Sequence, residues 1–164
     1  MFKRLTLLNK HYPFKTNTGC EKVDFYIKDG DIEKSYDNGK LYIETRDNLI
    51  SQGVIFFGGY ATSLYSRYMP PKLNLKLRRY PDFDVLADDP DLCATILKEH
   101  LKHSGLHHIK IIKHEGISDI IPYHNEVRVN GKSIAFIFKP IACHSYNKII
   151  IHDKEINVAS IDTI

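Results

Sequence analysis

Two aspartates, Asp82 and Asp84, flank Phe83 in the stretch PDFDVLADDP. On a strand, residues i and i+2 project from the same face, so both carboxylates point together. Like charges held that close repel unless a cation or water lies between them. Hard oxygen donors suit magnesium or manganese. Paired carboxylates of this kind hold the ions of two-metal phosphoryl and nucleotidyl transfer, which sit about 3.5–4 Å apart. Phe83 would anchor the strand in the core. Alone, an Asp-x-Asp is more often a solvated strand end.

A second element lies upstream in FFGGYATSLYSRYMP, where an apolar run ends in Gly58 and Gly59 just before a helical pattern. Without Cβ atoms, backbone N–H groups can approach phosphate oxygens closely, and a helix N-terminus adds partial positive charge. Thr62 and Ser63 follow with hydroxyls to donate. Alone, this pair is more often a tight turn.

Between the two motifs, Arg67, Lys72, Lys76, Arg78 and Arg79 form a basic strip bordered by Tyr65, Tyr68 and Tyr80. It suits salt-sensitive contacts to RNA or triphosphate phosphates, with tyrosines for stacking, or equally a solvated loop. His100, His103, His107, His108 and His114 lack a partner pair at zinc spacing and read as a solvated face. In CHSYN, residues 143–147, a nucleophile and base so close on an extended segment point apart, which argues against a hydrolase.

Taken together, strand–Gly-Gly–helix followed by Asp82-Phe83-Asp84-Val85 resembles the signature of the polymerase-β-like nucleotidyltransferase superfamily. The connector, residues 60–81, is longer than is usual there. FFGGYATSLYSRYMP, PDFDVLADDP and AFIFKPIACHSYNKI are similar to the catalytic subunit of poly(A) polymerases from large cytoplasmic DNA viruses, of the giant-virus type. The resemblance covers the palm portion, roughly residues 41–164. It implies that Gly58, Gly59 and Thr62 or Ser63 hold the incoming triphosphate. It also implies that Asp82 and Asp84 bind Mg2+ or Mn2+, and that AMP passes from ATP to an RNA 3′ end without a template. It further implies a homodimer, and a viral protein working in the viral factory of the host cytoplasm and carried in the virion.

Such enzymes use a third carboxylate, expected on the second arm of the hairpin HNEVRVNGKSIAFIFKP, in SIAFIFKP. That slot falls on Phe136, which cannot bind a metal. Glu126, on the first arm, is the nearest carboxylate; Asp119, in the preceding loop, is a weaker candidate. With Asn130-Gly131 as the turn, residue 126 faces 135, so Glu126 points away from the face of Phe136. It serves only if the register moves by one or a bulge intervenes. Two other readings therefore stand beside the polymerase: a non-catalytic RNA-binding or assembly module on the same fold, and a nucleotidyltransferase acting on tRNA or a small acceptor.

These residues need a scaffold, and the chain supplies its signals. Residues 1–40 read as an irregular lead-in, with a hairpin around Lys28-Asp29-Gly30-Asp31 and a turn at Asn38-Gly39. A helix over residues 41–50 is stopped by Gly53. VIFF is a short buried strand, and YATSLYSRYM a helix ended by Pro70 and Pro71. DFDVLA is a strand. Asp89 and Pro90 start a helix that runs to about Gly105. HHIKIIKH is a strand, and HNEVRVNGKSIAFIFKP a hairpin turning at Asn130-Gly131. KIIIH is a further strand, and the final KEINVASIDTI reads as a strand and the first turn of a cut-off helix. The sum is a small mixed α/β sheet with packed helices, which the resemblance implies is an α+β nucleotidyltransferase palm over residues 41–164.

The bulk properties agree. The chain has 164 residues, 43% of them hydrophobic and 26% charged, enough for one domain with a real core. A net charge of +3 permits nucleic acid without demanding it. Cys20, Cys93 and Cys143 form no disulfide framework, which points to a reducing compartment. No apolar run approaches the roughly 18 residues of a membrane span, so no membrane partner is expected.

Overall fold

The computed structural model describes residues 36–65, 82–117, 120–151 and 153–161. The hairpin expected near residue 29, Pro70 and Pro71, Asp119 and the basic residues Arg67, Lys72, Lys76, Arg78 and Arg79 lie outside them. In chain order the elements are α1 (Tyr36–Ser51), β1 (Ile55–Phe57), α2 (Gly58–Tyr65), β2 (Phe83–Leu86) and α3 (Pro90–His103). Five strands follow: β3 (Ile109–His114), β4 (His124–Val129), β5 (Lys132–Phe138), β6 (Tyr146–Ile151) and β7 (Lys154–Ala159).

Local chemistry explains most boundaries. The Asp89 side chain accepts a hydrogen bond from the Leu92 amide at 2.9 Å, and Pro90 fills the first turn of α3. Asn130 (φ 51°) and Gly131 (φ 79°) both take the positive φ of a type I′ hairpin turn. One expectation is overturned. Asn38-Gly39 is no turn but lies inside α1, which begins at Tyr36 rather than Leu41. A favourable helical context carries the chain through a weak helix former, since propensity is only a weak prior.

The strands form one mixed seven-stranded sheet of order β3-β4-β5-β2-β1-β7-β6. β2 lies at its centre, antiparallel to β1 and parallel to β5. β6 and β7 form a second hairpin that joins the sheet through a parallel β7–β1 pairing. Sequence patterning marked both as strands but could not reveal that non-local partner.

One face of the sheet carries the core. Phe56, Phe83, Val85, Val127, Ala135, Ile137, Ile156 and Val158 are buried with Leu49 of α1 and Ala94, Leu97 and Leu101 of α3. Phe83 sits at its centre, with ring centroids 4.7 Å from Tyr42, 5.3 Å from Tyr60 and 6.0 Å from Phe56. α3 is also tied to the sheet by Asp91, which accepts from Lys113 Nζ at 2.9 Å, Tyr123 OH at 2.7 Å and Asn125 Nδ2 at 2.9 Å.

The β4–β5 register departs from the simple hairpin count. Val129 pairs with Lys132 and Arg128 with Ser133, but Val127 pairs with Ala135. One extra residue of β5, Ile134, is accommodated there as a bulge. Beyond it Glu126 pairs with Phe136, not Ala135. The expectation that Glu126 points away from Phe136 is therefore wrong: a bulge reverses the facing of all later pairs, and the two share a face.

Phe83→Ala removes the ring that holds β2 and its aspartates against the core. The expected loss is about 3–5 kcal/mol of unfolding free energy, read from urea titration of the variant and the parent protein. A loss below about 1 kcal/mol would show that this ring is not the anchor.

Candidate active site

β1 runs into α2 through Gly58, while β2 runs antiparallel beside it, with Phe57 paired to Asp84. The two sequence motifs thus meet side by side. Gly58 has φ 62°, a left-handed conformation that only glycine adopts without penalty. A Cβ built on Gly58 would overlap Asp84 Oδ2 and lie 2.9 Å from its Cγ. The carboxylate occupies the space that glycine leaves open. The Gly59 amide donates to that same carboxylate.

Burial pushes the Asp84 carboxyl up to about 7, and the charge of Asp82 adds to the effect against the opposing Gly59 hydrogen bond. Asp82 is also raised, by burial. Two half-buried acids, each resisting ionisation beside the other, form a site that a divalent cation would relieve. Two carboxylates are the donor set expected for Mg2+ or Mn2+.

The remaining sequence candidates divide. Thr62 and Ser63 lie on α2, but Thr62 Oγ1 donates to the Gly58 carbonyl at 2.8 Å and Ser63 Oγ to the Tyr60 carbonyl at 2.6 Å. Their protons serve the helix backbone, so contact with a triphosphate requires breaking those bonds. Phe136 pairs directly with Asp84 across the parallel β5–β2 ladder. The expected third-carboxylate slot is therefore filled by a phenyl ring, and β5, KSIAFIF, has no acidic residue at any position.

Glu126 lies one strand further, beside Phe136 on the same face. It is 3% exposed and already engaged. Arg128 Nε donates to Glu126 Oε1 at 2.6 Å, His114 Nε2 lies 3.0 Å from Oε2, and Ser133 Oγ donates to Oε1. Burial alone would raise its pKa, but the hydrogen bonds from Arg128, Ser133 and His114 outweigh burial and lower it. Glu126 is the anion of a protein ion cluster, separated from Asp84 by the whole width of β5.

Two of the described helical histidines meet protein groups. His100 Nε2 meets Glu44 of α1 at 2.7 Å, and His103 Nδ1 the Glu99 carbonyl at 2.7 Å. His100 thus joins two helices while its side chain stays 39% exposed, and His103, His107 and His108 are exposed as expected. Among the described residues, no group of three or more His, Cys, Asp or Glu side chains could hold an ion. Nor is any described helix long and apolar enough to cross a membrane.

No protein-family model and no curated protein sequence matches the chain. The solved structures do give a match. The fold is similar to that of the Megavirus polyadenylate synthase. The two superpose with a TM-score of 0.59 at 17% identity, over 76% of this chain. The match spans only 24% of the synthase chain, about a quarter of its length. The likeness shows the fold alone: a mixed sheet with helices packed against it.

Sequence reading found both halves of the Gly58–Asp84 contact, but not the contact itself. It also missed the rings beside the site, Phe57, Phe138, His124 and His114, because alternate residues on four strands align only once the register is known.

Two outcomes are expected from the glycine–carboxylate contact. Gly58→Ala costs about 1–3 kcal/mol from its φ and displaces the Asp84 carboxylate. Calorimetric titration of Mn2+ should show its binding weakened at least about tenfold, with a folded circular dichroism spectrum. Second, because the folded pKa of Asp84 lies above the unfolded value, the native state binds the extra proton between about pH 4 and 7. Stability from this group is therefore present at low pH and lost as pH rises through 7. Asp84→Asn should flatten that decline and raise stability at pH 8 by on the order of 1–2 kcal/mol, measured as Tm against pH without divalent ion.

Proposed function

We propose that the chain is the palm of a template-independent RNA nucleotidyltransferase, a poly(A) polymerase that transfers AMP from ATP to an RNA 3′ end. The observation that carries this reading is the Gly58–Asp84 contact, which joins the Gly58-Gly59 turn to a pair of carboxylates. The fold likeness to a viral polyadenylate synthase supports it.

Asp82 and Asp84 would hold Mg2+ or Mn2+. Such an ion supplies charge neutralisation for the triphosphate and polarises the phosphoryl group under attack. Gly58 leaves room for the Asp84 carboxylate at the head of α2, and the helix N-terminus favours phosphate beside it. Phe83, buried behind the pair, fixes the strand from which both acids project. Arg67, Lys72, Lys76, Arg78 and Arg79 would contact RNA or triphosphate phosphates. A homodimer, and work in the host cytoplasm and virion, belong to the same proposal.

A second reading, a non-catalytic module that binds nucleotide or RNA, is favoured by one observation. Phe136 stands beside Asp84 where a third carboxylate would complete the site, and Glu126 is held in its own ion cluster. Without that carboxylate nothing on β5 can take the proton of a 3′-hydroxyl.

The full-length protein, labelled RNA, each ribonucleoside triphosphate and Mg2+ or Mn2+ separate the readings. A ladder with ATP, absent in Asp82→Ala/Asp84→Ala and retained within about tenfold in Glu126→Gln, is the expected result. No extension with any nucleotide, alongside intact RNA binding, would favour the non-catalytic module. Extension confined to tRNA or to a small acceptor would replace the mRNA substrate.

A further inference from the structure

Both long helices pack on the core face of the sheet, and among the described residues no helix covers the other. Asp84 projects from this open face. Its neighbours there are Phe57 on β1 and Phe136 on β5. One residue pair along, Leu86, Phe138, His124 and His114 align across β2, β5, β4 and β3.

Their rings form a continuous run. Phe57 meets Phe138 edge to face, with centroids 5.4 Å apart. Phe138 stacks on His124 at 4.6 Å, and His124 on His114 at 4.7 Å with an interplanar angle of 11°. These residues are half-buried, not sealed. At the other end of the β3–β4 ladder, His108, Lys110, Ile112, Arg128, Asn130 and Gly131 line a concavity, and Lys110 and Arg128 are cross-strand partners. Glu126 is the sole carboxylate on β3, β4 and β5, and Arg128 pairs with it.

An aromatic row beside a cationic pair, on three strands whose sole carboxylate is already paired, suits one class of partner: a single-stranded nucleic acid, whose bases stack and whose phosphates seek cations. We propose that this open face is the bed for the acceptor RNA. The 3′ end lies at Asp82 and Asp84, and the strand crosses β5 and β4 toward Lys110, His108 and Arg128. Three strand spacings, about 14 Å, separate β2 from β3, enough to seat more than one nucleotide. The strand's direction rests on the transfer reading of the aspartates; the binding does not.

The test uses the full-length chain, a fluorescein-labelled single-stranded oligoadenylate, EDTA, and anisotropy over a range of salt. Lys110 is exposed, so Lys110→Gln tests the bed without touching the core. Lys110→Gln is expected to weaken binding several-fold and to lower the slope of log K against log salt by about 0.7–1. His114→Ala is expected to weaken it roughly 5- to 100-fold with the slope kept. Thermal melts check that both variants fold, and the slope is a readout that a merely structural role would not move. Wild-type affinity and slope in Lys110→Gln would overturn the bed. So would binding lost only when Lys72 and Lys76 are changed, or a face covered by another segment of the chain or by a protein. If the bed holds but no nucleotide is added to RNA, the transfer reading falls alone. If RNA is extended while the variants bind like the parent protein, the bed falls alone.

Discussion

The site depends on a missing atom. Gly58 has no Cβ, and the Asp84 carboxylate lies where one would be. That contact needs β1 and β2 antiparallel with Phe57 opposite Asp84, and a left-handed residue where β1 turns into α2. It also needs Phe83 driven into the core so that its two neighbours face the other way. Burial of the pair has an electrostatic consequence. Two acids that resist ionisation oppose the stability of the folded protein at neutral pH, and a cation beside them would relieve that cost.

The second determinant is the bulge at Ile134. By inserting one residue into β5, it turns Glu126 onto the face of Asp84 and Phe136. There Glu126 is ion-paired with Arg128 and hydrogen-bonded to His114, and Phe136 separates it from the aspartates. The two halves of the open face therefore differ in chemistry. Near β1 and β2 it is acidic and suited to a cation. Toward β3 and β4 it is aromatic and basic.

What was legible in the sequence was local. Asp89-Pro90 announces its helix, Asn130-Gly131 its hairpin, and the Gly-Gly and Asp-Phe-Asp motifs the two sides of the site, because each is decided by a few neighbouring residues. What was hidden was relational. A bulge within β5 carries no strong sequence mark, since Ile134 sits in an ordinary strand pattern. The parallel β2–β5 and β1–β7 pairings join segments far apart in the chain. Asn38-Gly39 carries a turn signal yet lies within α1. Thr62 and Ser63 are where the motif puts them, but only coordinates reveal that their hydroxyls bond to their own helix.

The central claim is that Asp82, Asp84 and the Gly58-Gly59 turn hold a divalent ion and a nucleoside triphosphate. The most direct measurement is a crystal structure of the full-length protein soaked with Mn2+ and a non-hydrolysable ATP analogue, with anomalous scattering locating the metal. The account predicts a manganese peak beside Asp82 and Asp84, with the triphosphate beside Gly58 and Gly59. Clear density for ion and nucleotide elsewhere, with Asp84 still bonded only to the Gly59 amide, would contradict it.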